Sequence, residues 1–312
     1  MTKELRDFLK NNDITLINNN KQKETVLITG GTSGIGLEFV KLCLEENYRV
    51  IFTARNDHKA EGILKELKEN YPNGNISYLH LDISDFDSIN SFVNLIKEQH
   101  IDIHHFYHNA GIFRIPYSLN KQGFEINTAT NYFGPYLLSL QLFPYLRSLN
   151  HEVHINYIYS CTTYLYHLNY LEINPHGQYS KMQTYARSKI CLVHMYYYFL
   201  NEYKNTNLRF TLSHPGATYT PLIEKGYSTN SNIFKRIASA FMKVVFHTPK
   251  EASYTYKLAL YPLNTFDYYI APRGLFELSG KPTFRKIRYR QHRYHLLTIK
   301  KTDELLKEYI KK

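Results

Sequence analysis

Cysteine is scarce: the 312 residues hold three, Cys43, Cys161 and Cys191, with no CxxC pair and no metal-ligand spacing. A disulfide framework is thereby excluded, and the three read as reduced thiols. Tryptophan is absent, so aromatic volume falls to 29 tyrosines and 18 phenylalanines, a bias that assigns no function by itself. No stretch approaches the ~20 apolar residues that a membrane span needs. Residues 1–24 are polar and lack the apolar core of a signal peptide, so a cytoplasmic protein is expected. Internal repeats, low-complexity linkers and zinc-finger patterns are also missing. A repeat array, a split core and a nucleic-acid partner are therefore not expected.

What is present is ordinary globular material. A hydrophobic fraction of 43% against 21% charged suffices to bury a core and excludes a disordered or fibrous chain. Lys and Arg number 38 against 27 Asp and Glu, a formal charge of +11. Such a balance favours anionic ligands, nucleic acid or a membrane surface. Much of the excess lies near the end, at Arg285, Lys286, Arg288, Arg290, Arg293, Lys300, Lys301, Lys307, Lys311 and Lys312. Residues 281–312 are expected to form a solvated basic tail, with peripheral membrane contact as its sharper alternative.

From residue 25 short apolar runs alternate with segments of helical periodicity. Strands are predicted at 26–29, 50–53, 76–81, 103–107, 153–159 and 208–213. Strands apolar on both faces and separated by helices imply α/β architecture: a single Rossmann-type doubly wound domain. Its sheet would be mostly parallel with helices on both faces. The domain is expected to span 25–280, after a polar extension over 1–24. In such sheets ligands bind beyond the carboxyl ends of the strands.

The motifs follow the strands. Thr29-Gly30-Gly31-Thr32-Ser33-Gly34-Ile35-Gly36 lies between the first strand and a helical stretch. Glycines there let backbone approach a pyrophosphate at a helix N-terminus. After the second strand, Ala54 stands where an NAD-preferring site would place its carboxylate, and Arg55 follows. An Arg fork suits a 2′-phosphate, so NADP(H) is favoured over NAD(H). Asp57 is a carboxylate too far along for that role. Asp82 and Ile83 follow the third strand, where Asp82 would meet the adenine or cap a helix. Asn109-Ala110-Gly111 follows the fourth with small side chains.

Tyr185 and Lys189, four residues apart, share one face of a helix. A nearby ammonium lowers a phenol's pKa, and a tuned Tyr can protonate a carbonyl oxygen or deprotonate an alcohol. With so many tyrosines the pair alone is weak. Ser160 closes the fifth strand, and Asn131 interrupts an apolar helical stretch. Taken with Pro215-Gly216, this set resembles the short-chain dehydrogenase/reductase superfamily over residues 25–220. The resemblance implies that Tyr185 is the general acid/base and that Lys189 lowers its pKa and binds the nicotinamide ribose. Ser160 would polarise the carbonyl and Asn131 hold a water. Pro215, Gly216 and Thr220 would close over the cofactor. The long gap from Ser160 to Tyr185, Gln122-Gly123-Phe124-Glu125 and His214-Pro215-Gly216 resemble the retinol dehydrogenase-like branch.

His108 and Tyr159 depart from the family pattern, in which an Asn and a small residue stand there. Residues 221–246 fall where the family places its substrate lid, and their apolar content suggests a lipophilic or aromatic carbonyl or alcohol as substrate. A homodimer or homotetramer is expected by the same analogy. The competing reading is a non-catalytic NADP(H)-binding sensor, although such proteins tend to lose the Tyr or the Lys.

Overall fold

The apolar runs become strands where both faces of the chain are covered. β1 (Thr25–Ile28), β2 (Arg49–Ala54), β3 (Ile76–His80), β4 (His105–His108), β5 (Val153–Ile158) and β6 (Leu208–Ser213) fall on or within a residue or two of the predicted runs. The computed structural model describes residues 24–168, 172–175, 180–218, 246–261, 268–286 and 294–310. Thus 1–23 of the extension, and the lid segment apart from its last residue, lie outside the described residues. β7 (Tyr268–Pro272) and β8 (Pro282–Lys286) extend the sheet beyond expectation. The strand order is β3-β2-β1-β4-β5-β6-β7-β8, parallel throughout except for the antiparallel β7–β8 pair. The expected doubly wound α/β fold is the one observed.

Successive residues of a strand face opposite layers. Val26 and Ile28 of β1, with Val50 and Phe52 of β2, meet Phe39 and Val40 of α1 (Gly34–Glu45). Leu67 of α2 (Asp57–Asn70) and Tyr256 of α6 (Pro249–Leu258) complete that layer. Leu27 and Ile51 point the other way, toward α3 (Phe86–Glu98), α4 (Gly134–Arg147) and α5 (Lys181–Glu202). Polar caps set the helix starts: Asn56 Oδ1 accepts from Lys59 N at 2.8 Å, and Thr248 with Glu251 forms a capping box.

The solvated tail expected over 281–312 is corrected in its described parts. β8 belongs to the sheet, and Arg285 is spent on structure, its Nη2 donating to the carbonyls of Pro272, Arg273 and Gly274. α7 (His295–Leu305) lies on α5 and buries Thr298, Ile299 and Thr302. Its contacts are partly polar: Tyr132 OH meets Thr302 Oγ1 at 2.6 Å, Tyr136 OH donates to Asp303 at 2.6 Å, and His194 Nδ1 meets Thr298 Oγ1 at 2.7 Å. A helix that buries threonines against hydroxyl and imidazole partners reads as polar, so its basic residues alone suggested solvent.

Three histidines are held as neutral rings: buried His108 and His214 and half-buried His154 are each pushed down to about 3 from 6.5, chiefly by desolvation. His108 packs flat on Tyr157 with ring centres 4.5 Å apart, so the family departure there is a core substitution. Because the folded-state values are depressed, their stabilisation is complete above the ordinary imidazole value of 6.5 and is lost as pH falls toward about 3. The urea midpoint should therefore drop between neutrality and about pH 5, and His154→Gln should shrink that drop. An equal pH dependence in the variant would assign acid sensitivity elsewhere.

Candidate active site

The described motifs gather along the carboxyl edge of the sheet, where strand order reverses between β1 and β4. Gly30 holds φ +73°, and a Cβ there would stand 3.0 Å from the Ala110 Cα. At Gly36 a Cβ would stand 2.5 Å from both Asn109 Nδ2 and the Gly30 carbonyl oxygen. The glycine loop and the Asn109-Ala110-Gly111 turn are thus in direct contact. Asn109 Nδ2 donates to the carbonyls of Thr29 (2.8 Å) and Gly30 (3.1 Å), and its Oδ1 accepts from Tyr256 OH at 3.1 Å. Ala110 N donates to Thr29 Oγ1 at 3.0 Å. Beyond this clasp α1 begins at Gly34, and its N-cap Ser33 makes no side-chain capping bond. The first N–H groups of α1, beside part-buried Thr32 and Ile35, remain uncapped by that side chain, the arrangement an anion needs.

The rim carries the other cofactor candidates. Arg55 is exposed just past β2 and has no ion-pair partner among the described residues, while Ala54 is buried. Asp57 pairs with His80 at 3.0 Å, tying α2 to β3. Asp82 does not cap α3, since Asp85 does; its Oδ1 accepts from Ser84 N (2.9 Å) and Ser84 Oγ (2.7 Å). The Ile83 carbonyl lies only 1.9 Å from where a Gly134 Cβ would be, so only glycine allows α4 to start there.

Asn131 sits inside a π-helical turn, Ala129–Phe133, that leads into α4. Its Oδ1 accepts from Ile112 N (2.9 Å), and its Nδ2 donates to Ile112 O (3.0 Å) and Ser188 Oγ (3.1 Å). Ser188 Oγ in turn donates to Tyr185 O at 2.7 Å. The wide turn follows a carboxylate cap that the sequence reading missed: buried Glu125 accepts from Asn127 N and Thr128 N, both at 2.8 Å. Ser160 lies close enough to the Tyr185 hydroxyl to pull its pKa down, its Oγ accepts from Thr162 N at 3.3 Å, and Phe113 meets the Tyr185 ring edge-on at 4.7 Å. Lys189 Nζ donates to the Ile158 carbonyl at 2.8 Å and lies 3.8 Å from where a Gly111 Cβ would be. Burial pushes Tyr185 up to about 12, against the pull of Ser160, and pushes Lys189 down to about 8. Desolvation is the largest influence on the phenol, so its net shift runs upward.

Sequence comparison points the same way. Residues 24–164 match the profile of short chain dehydrogenases. Human polyprenol dehydrogenase is 29% identical over 239 residues, covering 73% of this chain and 70% of that protein. Human retinol dehydrogenase 12 is 25% identical over 220 residues, covering 70% and 69%. Residues 24–164 thus carry the short-chain dehydrogenase match, and the longer similarity is to oxidoreductases that include a retinol dehydrogenase. A solved protein from Mycobacterium paratuberculosis, described as putative and uncharacterized, shares the fold, with a TM-score of 0.70, 21% identity, and coverage of 91% and 94%.

Two residues with no periodic or motif signal shape the far side of this site. His247 Nδ1 donates to the Pro215 carbonyl (3.3 Å), and its Nε2 accepts from Gly280 N (2.7 Å). Gly216 holds φ +85° beneath Leu278 O, so Pro215-Gly216 is clamped on both sides; Thr220 lies outside the described residues. Glu277 is the other. Tyr159 OH donates to its Oε2 at 3.1 Å, Tyr269 OH donates to its Oε1, and Tyr164 OH meets Tyr269 OH at 2.9 Å. The bulky Tyr159 is thus accommodated by a buried carboxylate that needs donors. The hint available in the sequence was the departure at Tyr159 itself. Tyr159→Phe should cost about 1–3 kcal/mol, and Tyr159→Phe/Glu277→Gln less than the sum of the two single changes. Denaturant unfolding of the four proteins checks this, and simple additivity would refute the coupling.

Proposed function

We propose that this protein is an oxidoreductase that interconverts a carbonyl and an alcohol with NADP(H), with Tyr185 as general acid/base. The observation that carries the reading is the placement of Ser160 close enough to the Tyr185 hydroxyl to pull its pKa down, with Lys189 one helical turn along. The uncapped start of α1 and the glycine clasp fit a dinucleotide pyrophosphate, and exposed Arg55 fits a 2′-phosphate. Asp57, engaged by His80, is poorly placed to serve a ribose hydroxyl instead. The dinucleotide, when bound, supplies or accepts the hydride.

The chain's own groups do the rest. Ser160 orients and polarises the substrate oxygen, and Tyr185 gives it a proton. Held near 12, Tyr185 is a neutral phenol at ordinary pH and so is ready to donate without prior ionisation. Lys189, charged below about 8, holds the ribose and offsets phenolate charge when it forms. A water at Asn131 would donate to the second lone pair of Oδ1, since both amide hydrogens are committed. Convergence of all four side chains favours turnover over a sensor role. The substrate is lipophilic or aromatic. Support comes from Phe113 beside Tyr185 and from relatives named for a polyprenol and a retinol, both long apolar alcohols.

The test is NADPH against NADH oxidation over a panel of aldehydes and ketones that includes lipophilic ones. Faster turnover of small polar ketones than of long-chain or aromatic carbonyls would refute the substrate class. Tyr185→Phe should lower kcat by roughly 10²–10⁴ while dinucleotide binding persists. Arg55→Glu should raise the KM for NADPH about tenfold or more, with NADH little changed. A raised phenol pKa also has a sign: the phenolate fraction grows with pH up to about 12. Alcohol oxidation should therefore climb with alkalinity and carbonyl reduction should not. A flat oxidation profile would remove Tyr185 from the proton step.

A further inference from the structure

The connection between β7 and β8 presents two large apolar side chains to solvent. Leu275 is 78% exposed and Phe276 75%, more than any other large apolar side chain among the described residues. They are not there through slackness. Phe276 and Glu277 both lie in the left-handed region, with φ 51° and 62°, a conformation that costs about 1–2 kcal/mol per non-glycine residue. The surroundings hold that turn. Glu277 is anchored by Tyr159 and Tyr269, Gly274 N donates to Ser279 O at 2.8 Å, and Arg273 N donates to Lys281 O at 2.9 Å. With the Glu277 carboxylate drawn inward, the two residues before it are turned out.

Charge surrounds the pair. Between Tyr268 and Lys286 stand Arg273, Lys281, Arg285 and Lys286 against one acid, Glu277, which is buried. Arg273, Lys281 and Lys286 are exposed. An apolar tip flanked by exposed Arg273 and Lys281, with no exposed acid in residues 268–286, is complementary to an anionic, apolar-backed surface. Two side chains offer far less than the ~800 Å² per partner of a standard protein interface. They do suffice to enter the ~5–10 Å headgroup and acyl boundary of a bilayer, where each Lys or Arg adds attraction to anionic lipid.

We propose that Leu275 and Phe276 form a membrane-docking prong that seats the protein on an anionic bilayer, with Arg273 and Lys281 over the headgroups. This puts membrane contact on the β7–β8 connection and not on a loose basic tail. The prong stands beside the candidate site: Ala217 N donates to Leu278 O at 2.8 Å, next to Pro215-Gly216. The inference does not rest on the proposed catalysis, and its test needs no substrate.

The full chain is sedimented with phosphatidylcholine vesicles, with or without phosphatidylserine, at low and high salt. Wild type should bind the phosphatidylserine vesicles, less so as salt rises. L275S/F276S should raise the lipid concentration for half-binding roughly tenfold or more at an unchanged thermal midpoint. R273E/K281E should remove the preference for phosphatidylserine. Three results would overturn the proposal. These are no vesicle binding by wild type, equal binding by L275S/F276S, or lipid-free self-association of wild type that L275S/F276S abolishes. The last would assign the pair to a contact between two copies of the chain.

Discussion

One side-chain amide spans the place where the sheet parts. At the carboxyl ends of β1 and β4, Asn109 donates to two successive carbonyls of the glycine loop and accepts from Tyr256 on the far layer. Backbone carbonyls left at a strand end need a donor, and water is poorly placed to supply it beneath a ligand site. Asn109 meets that need from within. By doing so it fixes the spacing between the loop that would cradle a pyrophosphate and the turn that passes beside Lys189 and Asn131. Glycine at 30, 36 and 111 is the steric counterpart: a methyl at any of them would meet backbone, Asn109 or Asn131.

The same economy recurs around the candidate proton donor. Asn131, Ser188 and the Tyr185 backbone form one line of hydrogen bonds, so the π turn and α5 move as a unit. Glu125 caps the short helix that precedes the π turn, and a turn wound wider than an α-helix is sustained by those fixed ends. Desolvation is the complement to this rigidity. It pushes the Tyr185 phenol up and the Lys189 amine down. Both shifts favour the neutral forms, which keeps the apolar walls compatible with a polar reaction centre.

How much of this was legible follows from the range of each interaction. β1 to β6 were readable because each is a short stretch rich in apolar residues between helical segments, and the Tyr185–Lys189 pair because four residues make one helical turn. β8, reading Pro-Thr-Phe-Arg-Lys, carries no such run; it is an antiparallel edge strand, covered on one flank by Arg285 and its three carbonyls. α7 hid behind its threonines. The Tyr159–Glu277 bond joins residues 118 apart, and no local pattern can announce it. The upward push of burial on Tyr185 was not legible, because the sequence displays the nearby cation but not the depth of burial.

α7 has a consequence for assembly. The outer face of α5 and of the π turn bears Tyr132 and His194, groups that need partners, and the chain's own α7 supplies Thr302 and Thr298 to them. A covering element joined covalently acts at a fixed effective concentration, commonly millimolar or above for a short tether. Dilution therefore does not uncover this face, as it would if a separate subunit provided the lid. The fold owes the closure of that layer to its own α7 at any protein concentration.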